Sequence, residues 1–277
     1  MSQEVENPLI FLRADSEERP GDRPCVAIVR SQEELSRWLH DCSPALQWIQ
    51  VEGLLGDPDA WALAAQGAGD IPLDVVLSAP GSEFADLYRL VDVLAVRDVR
   101  VSMPATPRFL KAVRLGASLG LPVRLLPGQP SAEAVEELAE ALTLYLHDPV
   151  VEAPIEFFHS ALAWMRGAQT GSLWIIFEED PAIFRHYDTN GKSGLPRMTR
   201  PLAETASLHD FVTSHLARLI NEGAECATCP WQPLCQGYFK LPDPSYSCHG
   251  VKQLFATLRA AADEIERDLA ACEAQPT

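Results

Sequence analysis

Four of the chain's seven cysteines lie in one short segment, CATCPWQPLCQGYFKLPDPSYSC, which begins at Cys226 and ends at Cys248. With Cys229 and Cys235 between them, the spacing is C-x2-C-x5-C-x12-C. Four thiols gathered in this way can form disulfides, hold a zinc ion or hold an iron–sulfur cluster. Each possibility makes a different prediction about the rest of the sequence.

The composition is that of an acidic protein with enough apolar residues for a large core. The 277 residues are 47% hydrophobic, and 39 Asp and Glu against 22 Lys and Arg give a formal net charge of −17. A field of that sign repels polyanions, so we expect no nucleic-acid partner. The sequence begins without a positive region followed by an apolar stretch, and no later run is long enough to span a membrane. We therefore expect a cytoplasmic protein that does not bind membranes.

The expected compartment bears on the chemistry of the thiols. Cytoplasmic thiols stay reduced, which favours metal ligation over disulfides. Zinc ribbons and fingers bring together two compact ligand pairs, and only Cys226 and Cys229 form such a pair here. A cluster is larger and can take ligands spread along a loop, but soft thiolates suit both metals. The spacing therefore leaves zinc and iron–sulfur open, while Cys25 and Cys42, without neighbours at ligand spacing, are interpreted as buried thiols.

The elements that must position the thiols begin near residue 24. Up to residue 147, β-branched runs alternate with amphipathic stretches five times, a pattern typical of βα units around a parallel sheet. Ser31 and Glu34 form a capping-box signature at the first helix. Consecutive pairing favours an α/β fold with an open, partial (β/α) barrel, and a flavodoxin-like sheet is the alternative. The predicted strands are CVAIVR, ALQWIQVEG, PLDVVLSAP, DVRVSMPA and LPVRLLPG.

The character of the sequence changes near residue 150, which predicts two domains. Residues 1–150 form the partial barrel, and residues 151–277 form a cysteine-containing domain with a terminal helix. In the second domain, GSLWIIFEEDPAIFRHYDTNGKSG predicts a strand or hairpin with Asn190-Gly191 at its tip. The acidic run Glu178–Asp180 is interpreted as a solvated strand edge. The histidines are scattered, and no catalytic triad is predicted.

The cysteine segment resembles the SPASM domain at the C-terminus of many radical S-adenosylmethionine enzymes. That domain has the pattern C-x2-C-x5-C-x3-C with one further cysteine downstream, and Trp231 and Gly237 belong to the resemblance. In the family, the first, second, third and last cysteines hold one auxiliary [4Fe–4S] cluster. The resemblance implies that the ligands here are Cys226, Cys229, Cys235 and Cys248. The x3 cysteine, which serves a second auxiliary cluster, is replaced by Phe239, so that cluster is expected to be lost.

The resemblance extends to the barrel, with one departure that changes the expected activity. The stretch VRVSMPATPRFLKAVRLGASLGLPVRLL is similar to the fourth and fifth βα units, and GSLWIIFEEDPAIF is similar to the hairpin that introduces the SPASM domain. However, Glu52-Gly53-Leu54-Leu55 replaces the GGEP-like motif that binds S-adenosylmethionine, and the C-x3-C-x2-C motif is absent. The resemblance implies a degenerate member with a small SPASM-like domain, no S-adenosylmethionine and no radical activity of its own.

The expected function follows from this degenerate resemblance. It implies a non-catalytic accessory subunit that binds one [4Fe–4S] cluster. This subunit would form a hetero-oligomer with a modifying enzyme or a precursor peptide. The process would be the maturation of a ribosomal peptide natural product or of a cofactor. The negative charge suits a basic partner. Two alternatives stay open, namely a stand-alone enzyme that uses the barrel mouth and a zinc-stapled binding protein. Trp231 is expected to shield the metal and His249 to face solvent.

Overall fold

A computed structural model describes residues 7–13, 21–41, 43–66, 70–187, 193–197 and 208–273. The strands are β1 Leu9–Arg13, β2 Cys25–Val29, β3 Leu46–Glu52, β4 Leu73–Val76, β5 Val99–Pro104, β6 Val123–Leu126, β7 Ile155–Glu156, β8 Phe184–Tyr187 and β9 Ser193–Gly194. They form one sheet in the order β7-β6-β5-β4-β3-β2-β1-β8-β9. All neighbouring strands among the first eight are parallel, and β9 pairs antiparallel with β8.

Helices surround this half-barrel. The α-helices are α1 Gln32–Leu39, α2 Pro58–Gln66, α3 Pro80–Glu83, α4 Val91–Leu94, α5 Leu110–Ser118, α6 Ala132–His147, α7 Phe158–Met165, α8 Leu173–Ile176, α9 Phe211–Asn221, α10 Gln232–Cys235 and α11 His249–Glu273. Short 3₁₀ helices occupy Phe84–Leu90, Leu208–Asp210, Glu225–Thr228 and Tyr238–Lys240. No helix in the described ranges is long and apolar enough to cross a membrane.

The partial (β/α) barrel predicted from the sequence is confirmed. The five predicted βα units are β2 to β6 with the helices that follow them, and neighbours in the chain are neighbours in the sheet. A flavodoxin-like order, in which the strand sequence reverses within the sheet, is not formed. The cap at α1 is present, since the Ser31 hydroxyl accepts the N–H of Glu34 at 3.2 Å. Cys25 is buried as predicted, whereas Cys42 lies outside the described residues.

The sheet and its core continue past residue 150. β7, β8 and β9 extend the same sheet, and α11 packs against α6 and α7, so one apolar cluster includes residues from both sides. One local prediction here is wrong, because Leu173–Ile176 is a helix rather than part of a strand. The hairpin is formed instead by β8 and β9. Its predicted tip, Asn190-Gly191, lies outside the described residues.

The two faces of the half-barrel differ in chemistry. Towards the helices, β3 to β6 present buried apolar side chains such as Ile49, Val75 and Val101. The alternate positions, which face the concave side, are polar and stand in register across the sheet, with Gln50 beside Asp74 and Asp74 beside Arg100. An interior filled by charged groups requires that each be paired, because an unpaired buried charge is costly.

Candidate metal centre

The four predicted thiols come from four local elements and line one pocket. Cys226 lies in the 3₁₀ helix Glu225–Thr228, Cys229 directly follows that helix, Cys235 ends α10, and Cys248 directly precedes α11. All four line one pocket at the surface of the protein. The structure thus brings together thiols of which successive ones are separated by up to twelve residues in the sequence. Cys226 and Cys248 are buried, and the other two are partly exposed.

A tight backbone turn surrounds the Cys235 sulfur. Gln236 and Gly237 both adopt left-handed conformations, with φ of 47° and 78°. Burial raises the pKa of the Cys235 thiol, and the backbone N–H groups of Phe239, Tyr238 and Gly237 in this turn act against that rise. Successive N–H groups in such a turn form an anion-binding concavity, and hydrogen bonds of this kind stabilise a thiolate in a metal site. The turn after the third cysteine therefore favours negative charge on its sulfur.

Glycine is required at position 237 by close packing as well as by its φ angle. A Cβ added there would lie 2.8 Å from Leu219 Cδ1 and 3.2 Å from His215 Cδ2. The carbonyl of Gly237 also accepts a hydrogen bond from His215 Nε2 at 3.1 Å. Burial lowers the pKa of His215, which keeps its imidazole neutral with the proton on Nε2. Helix α9 thus packs directly on the turn that surrounds Cys235.

A partly buried ion-pair cluster of Glu225, Lys240 and Lys252 lies beside the thiols. Lys240, whose side chain is 6% exposed, pairs with Glu225 at 2.8 Å, and Lys252 pairs with the same carboxylate. The N–H of Cys248 also donates to Glu225 at 3.2 Å. Burial alone raises the pKa of Glu225, but the hydrogen bonds from Lys240 and Lys252 outweigh it and hold this pKa at about 2. The cluster carries two ammonium groups for one carboxylate, which places net positive charge next to the thiols.

Burial and this positive charge act on the thiols in opposite directions. Burial raises the pKa of Cys235 to about 11 and that of Cys248 to about 12. It also raises the pKa of Cys226, while the Lys240 ammonium opposes the rise at Cys226 and Cys248. A protonated thiol is a poor ligand, and a bound metal ion supplies the positive charge that deprotonates it. These three thiols could therefore act as ligands only if the positive charge of a metal ion deprotonated them.

Apolar side chains form the remaining wall of the pocket. Trp231, Phe239 and Phe255 line it with Val251. The Trp231 and Phe255 rings are 5.7 Å apart, and Phe239 lies 6.2 Å from Phe255. Such a wall limits water access and lowers the local dielectric constant, both of which tune a metal site. His249 is exposed, as predicted.

The cysteine segment is fastened to the barrel by hydrogen bonds at the loop that follows β6. Gln129 Nε2 donates to the carbonyl of Phe239 at 2.9 Å and to that of Asp243 at 2.7 Å. The Tyr246 hydroxyl donates to the carbonyl of Pro130 at 2.8 Å. Because β6 is parallel to its neighbours, this loop lies at the carboxyl ends of the strands, so the thiols are held near the barrel mouth.

The concave face carries an ion-pair network that the sequence analysis missed. Asp74, 1% exposed, accepts hydrogen bonds from Ser102 Oγ at 2.5 Å, Arg100 Nη2 at 2.7 Å and Arg124 Nη2 at 3.0 Å. Glu178 pairs with Arg100 at 3.2 Å and with Arg124. Although burial raises the pKa of Asp74, the guanidinium groups of Arg124 and Arg100 outweigh burial and hold it below its usual value. The sequence does contain a sign of this network, namely single charged residues at alternate positions of otherwise apolar strands.

The acidic run Glu178–Asp180 is therefore not a solvated edge, and that prediction is wrong. The side chains of Glu178 and Glu179 are 13% and 7% exposed. Glu179 accepts from Arg197 Nε at 2.6 Å and from the Tyr238 hydroxyl at 3.1 Å. Arg197 also stacks over the Tyr238 ring at 3.9 Å. Partners on distant elements, which a local charge pattern does not reveal, neutralise the run and link it to the cysteine segment.

A metal centre places demands on both the chemistry and the spacing of its donors. Within the part of the chain that the structure describes, no three His, Cys, Asp or Glu side chains converge closely enough to hold a single metal ion. The four thiols instead surround a common space, with donor chemistry that suits zinc or an iron–sulfur cluster. Zinc draws its four ligands to about 2.3 Å from one point, whereas a cluster separates them around a larger core. The donor set therefore suits either kind of metal centre.

Comparison of the chain with protein-family models, curated proteins and solved structures gives no match. The function must therefore be inferred from the site itself.

Proposed function

We propose that the chain is a non-catalytic accessory subunit that binds one [4Fe–4S] cluster and partners a modifying enzyme during peptide or cofactor maturation in the cytoplasm. The observation that carries the proposal is the shared pocket of Cys226, Cys229, Cys235 and Cys248, walled by apolar residues and bordered by two lysines. We propose these four residues as the cluster ligands of a SPASM-like domain. The natural-product context comes from the sequence resemblance to radical S-adenosylmethionine enzymes.

The surroundings of the thiols support an anionic cluster. Four thiolates make a cluster complex negative overall, and the Lys240 and Lys252 ammonium groups lie on its border. The N–H groups around Cys235 stabilise the same negative charge. When bound, a cluster with four cysteine ligands supplies electron transfer or structural support, since no iron is left open to chelate a substrate. The chain's own residues hold the cluster, limit water access and offset its charge.

The carboxyl ends of the strands support the absence of radical chemistry. Glu52, at the end of β3, pairs with Arg30 and accepts a hydrogen bond from Gln50 at 2.9 Å. Leu54 and Leu55, which replace the polar end of the GGEP-like motif, are buried at 8% and 4% exposure. These residues offer no free acceptor for the amino group of S-adenosylmethionine. Together with the missing C-x3-C-x2-C motif, they favour a barrel that lacks an activity of its own.

The concave face supports the same conclusion about catalysis. A general base needs a carboxylate or imidazole that can accept a proton from a substrate. The Asp74 and Glu178 carboxylates are instead paired with arginines, and His186 donates from Nε2 to the carbonyl of Glu178 at 2.8 Å. We interpret this network as the filling of the half-barrel rather than as an active site.

A reconstitution experiment tests the proposed role. The chain, purified without oxygen, is combined with the modifying enzyme and precursor peptide encoded beside it, and product formation is followed by mass spectrometry. We expect turnover to require the wild-type chain and to fall to background with Cys235→Ser, whereas Val96→Ser, at a residue that is 47% exposed in the turn before β5, should behave as wild type. Turnover by the chain alone would favour a stand-alone enzyme, and turnover unchanged by omitting the chain would contradict the accessory role.

A further inference from the structure

Helix α11 carries an apolar seam that continues beyond the body of the protein. Apolar residues recur along the helix at alternating intervals of four and three, which is the heptad spacing of a coiled coil. The first part of the seam is buried in the protein's own core and consists of Val251, Phe255, Leu258 and Ala262. The second part, which we call the distal seam, consists of Ile265, Leu269 and Cys272.

Most of the distal seam is not covered by the rest of the described chain. Helix α7, on which α11 packs, ends at Met165, whose carbonyl accepts a hydrogen bond from Arg259 Nη1 at 2.8 Å. Beyond Ala262, no described residue of α11 is buried, and Leu269 is 48% exposed. At 1.5 Å per residue, the helix extends about 16 Å beyond that point. Leu269 and Cys272 thus face solvent, and Ile265 is partly covered, on a helix that is anchored at its other end.

The charges that flank the distal seam indicate what can cover it. Between Asp263 and Glu273 there are five acidic side chains and one basic side chain, Arg267. A second copy of this chain would bring like charges together along the seam, and such pairing is unfavourable between coiled-coil helices. A helix with Lys or Arg beside its own apolar stripe would pair with these acids instead. The net charge of −17 for the whole chain acts in the same direction at longer range.

We propose that the distal seam is a docking site for a basic amphipathic helix of a partner protein. The inference names a surface for the partner that the accessory role requires, and in that respect it rests on the proposed function. It uses none of the four clustered thiols, so cluster content and docking can be measured separately. The helix-in-groove mode of recognition, with apolar anchors at heptad positions, supplies the affinity, and the acidic flanks supply the selectivity.

A binding experiment with a synthetic helix tests the proposal. The probe is a fluorescent peptide of about three heptads with Leu at positions a and d and Lys at the flanking positions. A second peptide has the same core and Glu at the flanks. Both are titrated with the full-length protein under reducing conditions, with wild type compared with Leu269→Ser and with Val96→Ser. Val96, on a turn remote from the seam, is 47% exposed and serves as the matched control.

We expect the Lys-flanked peptide to bind wild type and Val96→Ser equally and the Glu-flanked peptide to bind neither. Leu269→Ser should weaken binding of the Lys-flanked peptide by at least about tenfold, because burying a leucine side chain raises affinity by more than that factor. The iron content of the Leu269→Ser protein should equal that of wild type. The proposal would be overturned if wild type bound both peptides with equal affinity. It would also be overturned if Leu269→Ser bound the Lys-flanked peptide as tightly as wild type does. So would light scattering that shows a wild-type dimer and a Leu269→Ser monomer, since a second copy would then be the occupant.

Discussion

Replacement of Asp74 by Asn should strongly destabilise the half-barrel. The substitution keeps the shape of the side chain and removes its negative charge, so packing changes little. In the wild type, this carboxylate is 1% exposed and lies within 3.0 Å of nitrogen atoms of both Arg100 and Arg124. After substitution, the two guanidinium groups share the single carboxylate of Glu178. Arg124, whose side chain is 6% exposed, cannot recover its hydration.

The expected cost follows from the burial of these partners. Removing one member of a buried ion pair typically costs about 3 to 5 kcal/mol, because the other charge stays buried without compensation. The Arg30–Glu52 pair provides the contrast, since its side chains are 49% and 23% exposed. Glu52→Gln should cost less than about 1 kcal/mol. Both Asp74→Asn and Glu52→Gln replace a carboxylate by an amide. A much larger loss of unfolding free energy in Asp74→Asn would show that the charges on the concave face are buried and paired.

The assay is equilibrium unfolding in urea, followed by far-ultraviolet circular dichroism. The pKa of Asp74 is held below its usual value of 3.8, so its stabilising contribution is present above that value and is lost as the pH falls through the lower folded pKa. The difference between wild type and Asp74→Asn should therefore be constant from about pH 6 to 8 and shrink below about pH 4. A cost below about 1 kcal/mol at pH 7 would refute this account, because it would mean that the arginines are solvated.

Two further substitutions test the cysteine segment. Cys229→Ala should lose bound metal and lower the thermal stability mainly of the C-terminal part, as measured by metal analysis and a thermal unfolding profile. Cys272→Ser should change neither the metal content nor the thermal stability. An unaltered metal content in Cys229→Ala would contradict the ligand assignment. Gly237→Ala should cost about 2 to 5 kcal/mol in unfolding free energy, since left-handed strain adds to a clash with Leu219 at 2.8 Å. The control is Gly223→Ala, since Gly223 has a similar φ of 77° and nothing lies within 4 Å of the added Cβ. It should lower the unfolding free energy by only about 1 to 2 kcal/mol. Equal losses in the two variants would show that the packing around Gly237 adjusts to the added methyl group.

The barrel could be predicted because its signals are local. The strands β2 to β6 are short β-branched runs, and amphipathic helices opened by residues such as Ser31 and Ser131 follow some of them directly. Consecutive βα units then leave few topologies. The sequence predicts a strand at Leu173–Ile176 because a short apolar run has no period that distinguishes a strand from a buried helix. Strand β7, with only two residues, is too short to produce a pattern.

The thiols could be grouped from their spacing, but their surroundings could not. Lys240 and Lys252 reach the same carboxylate from different elements, and only the fold makes Glu225 their common partner. The same holds for Asp74 and Glu178, which are far apart in the chain and meet through Arg100. Such networks depend on strand register, which single-residue propensities do not contain.

Metal and sulfide analysis of the anaerobically purified wild-type chain tests the central claim most directly. The proposed cluster predicts about four irons and four acid-labile sulfides per chain, with broad visible absorbance that bleaches on addition of dithionite. Cys235→Ser, measured in parallel, should lose this absorbance, and Cys272→Ser should keep it. One zinc ion per chain in a colourless protein would contradict the cluster and leave the thiols of Cys226, Cys229, Cys235 and Cys248 as a structural zinc site.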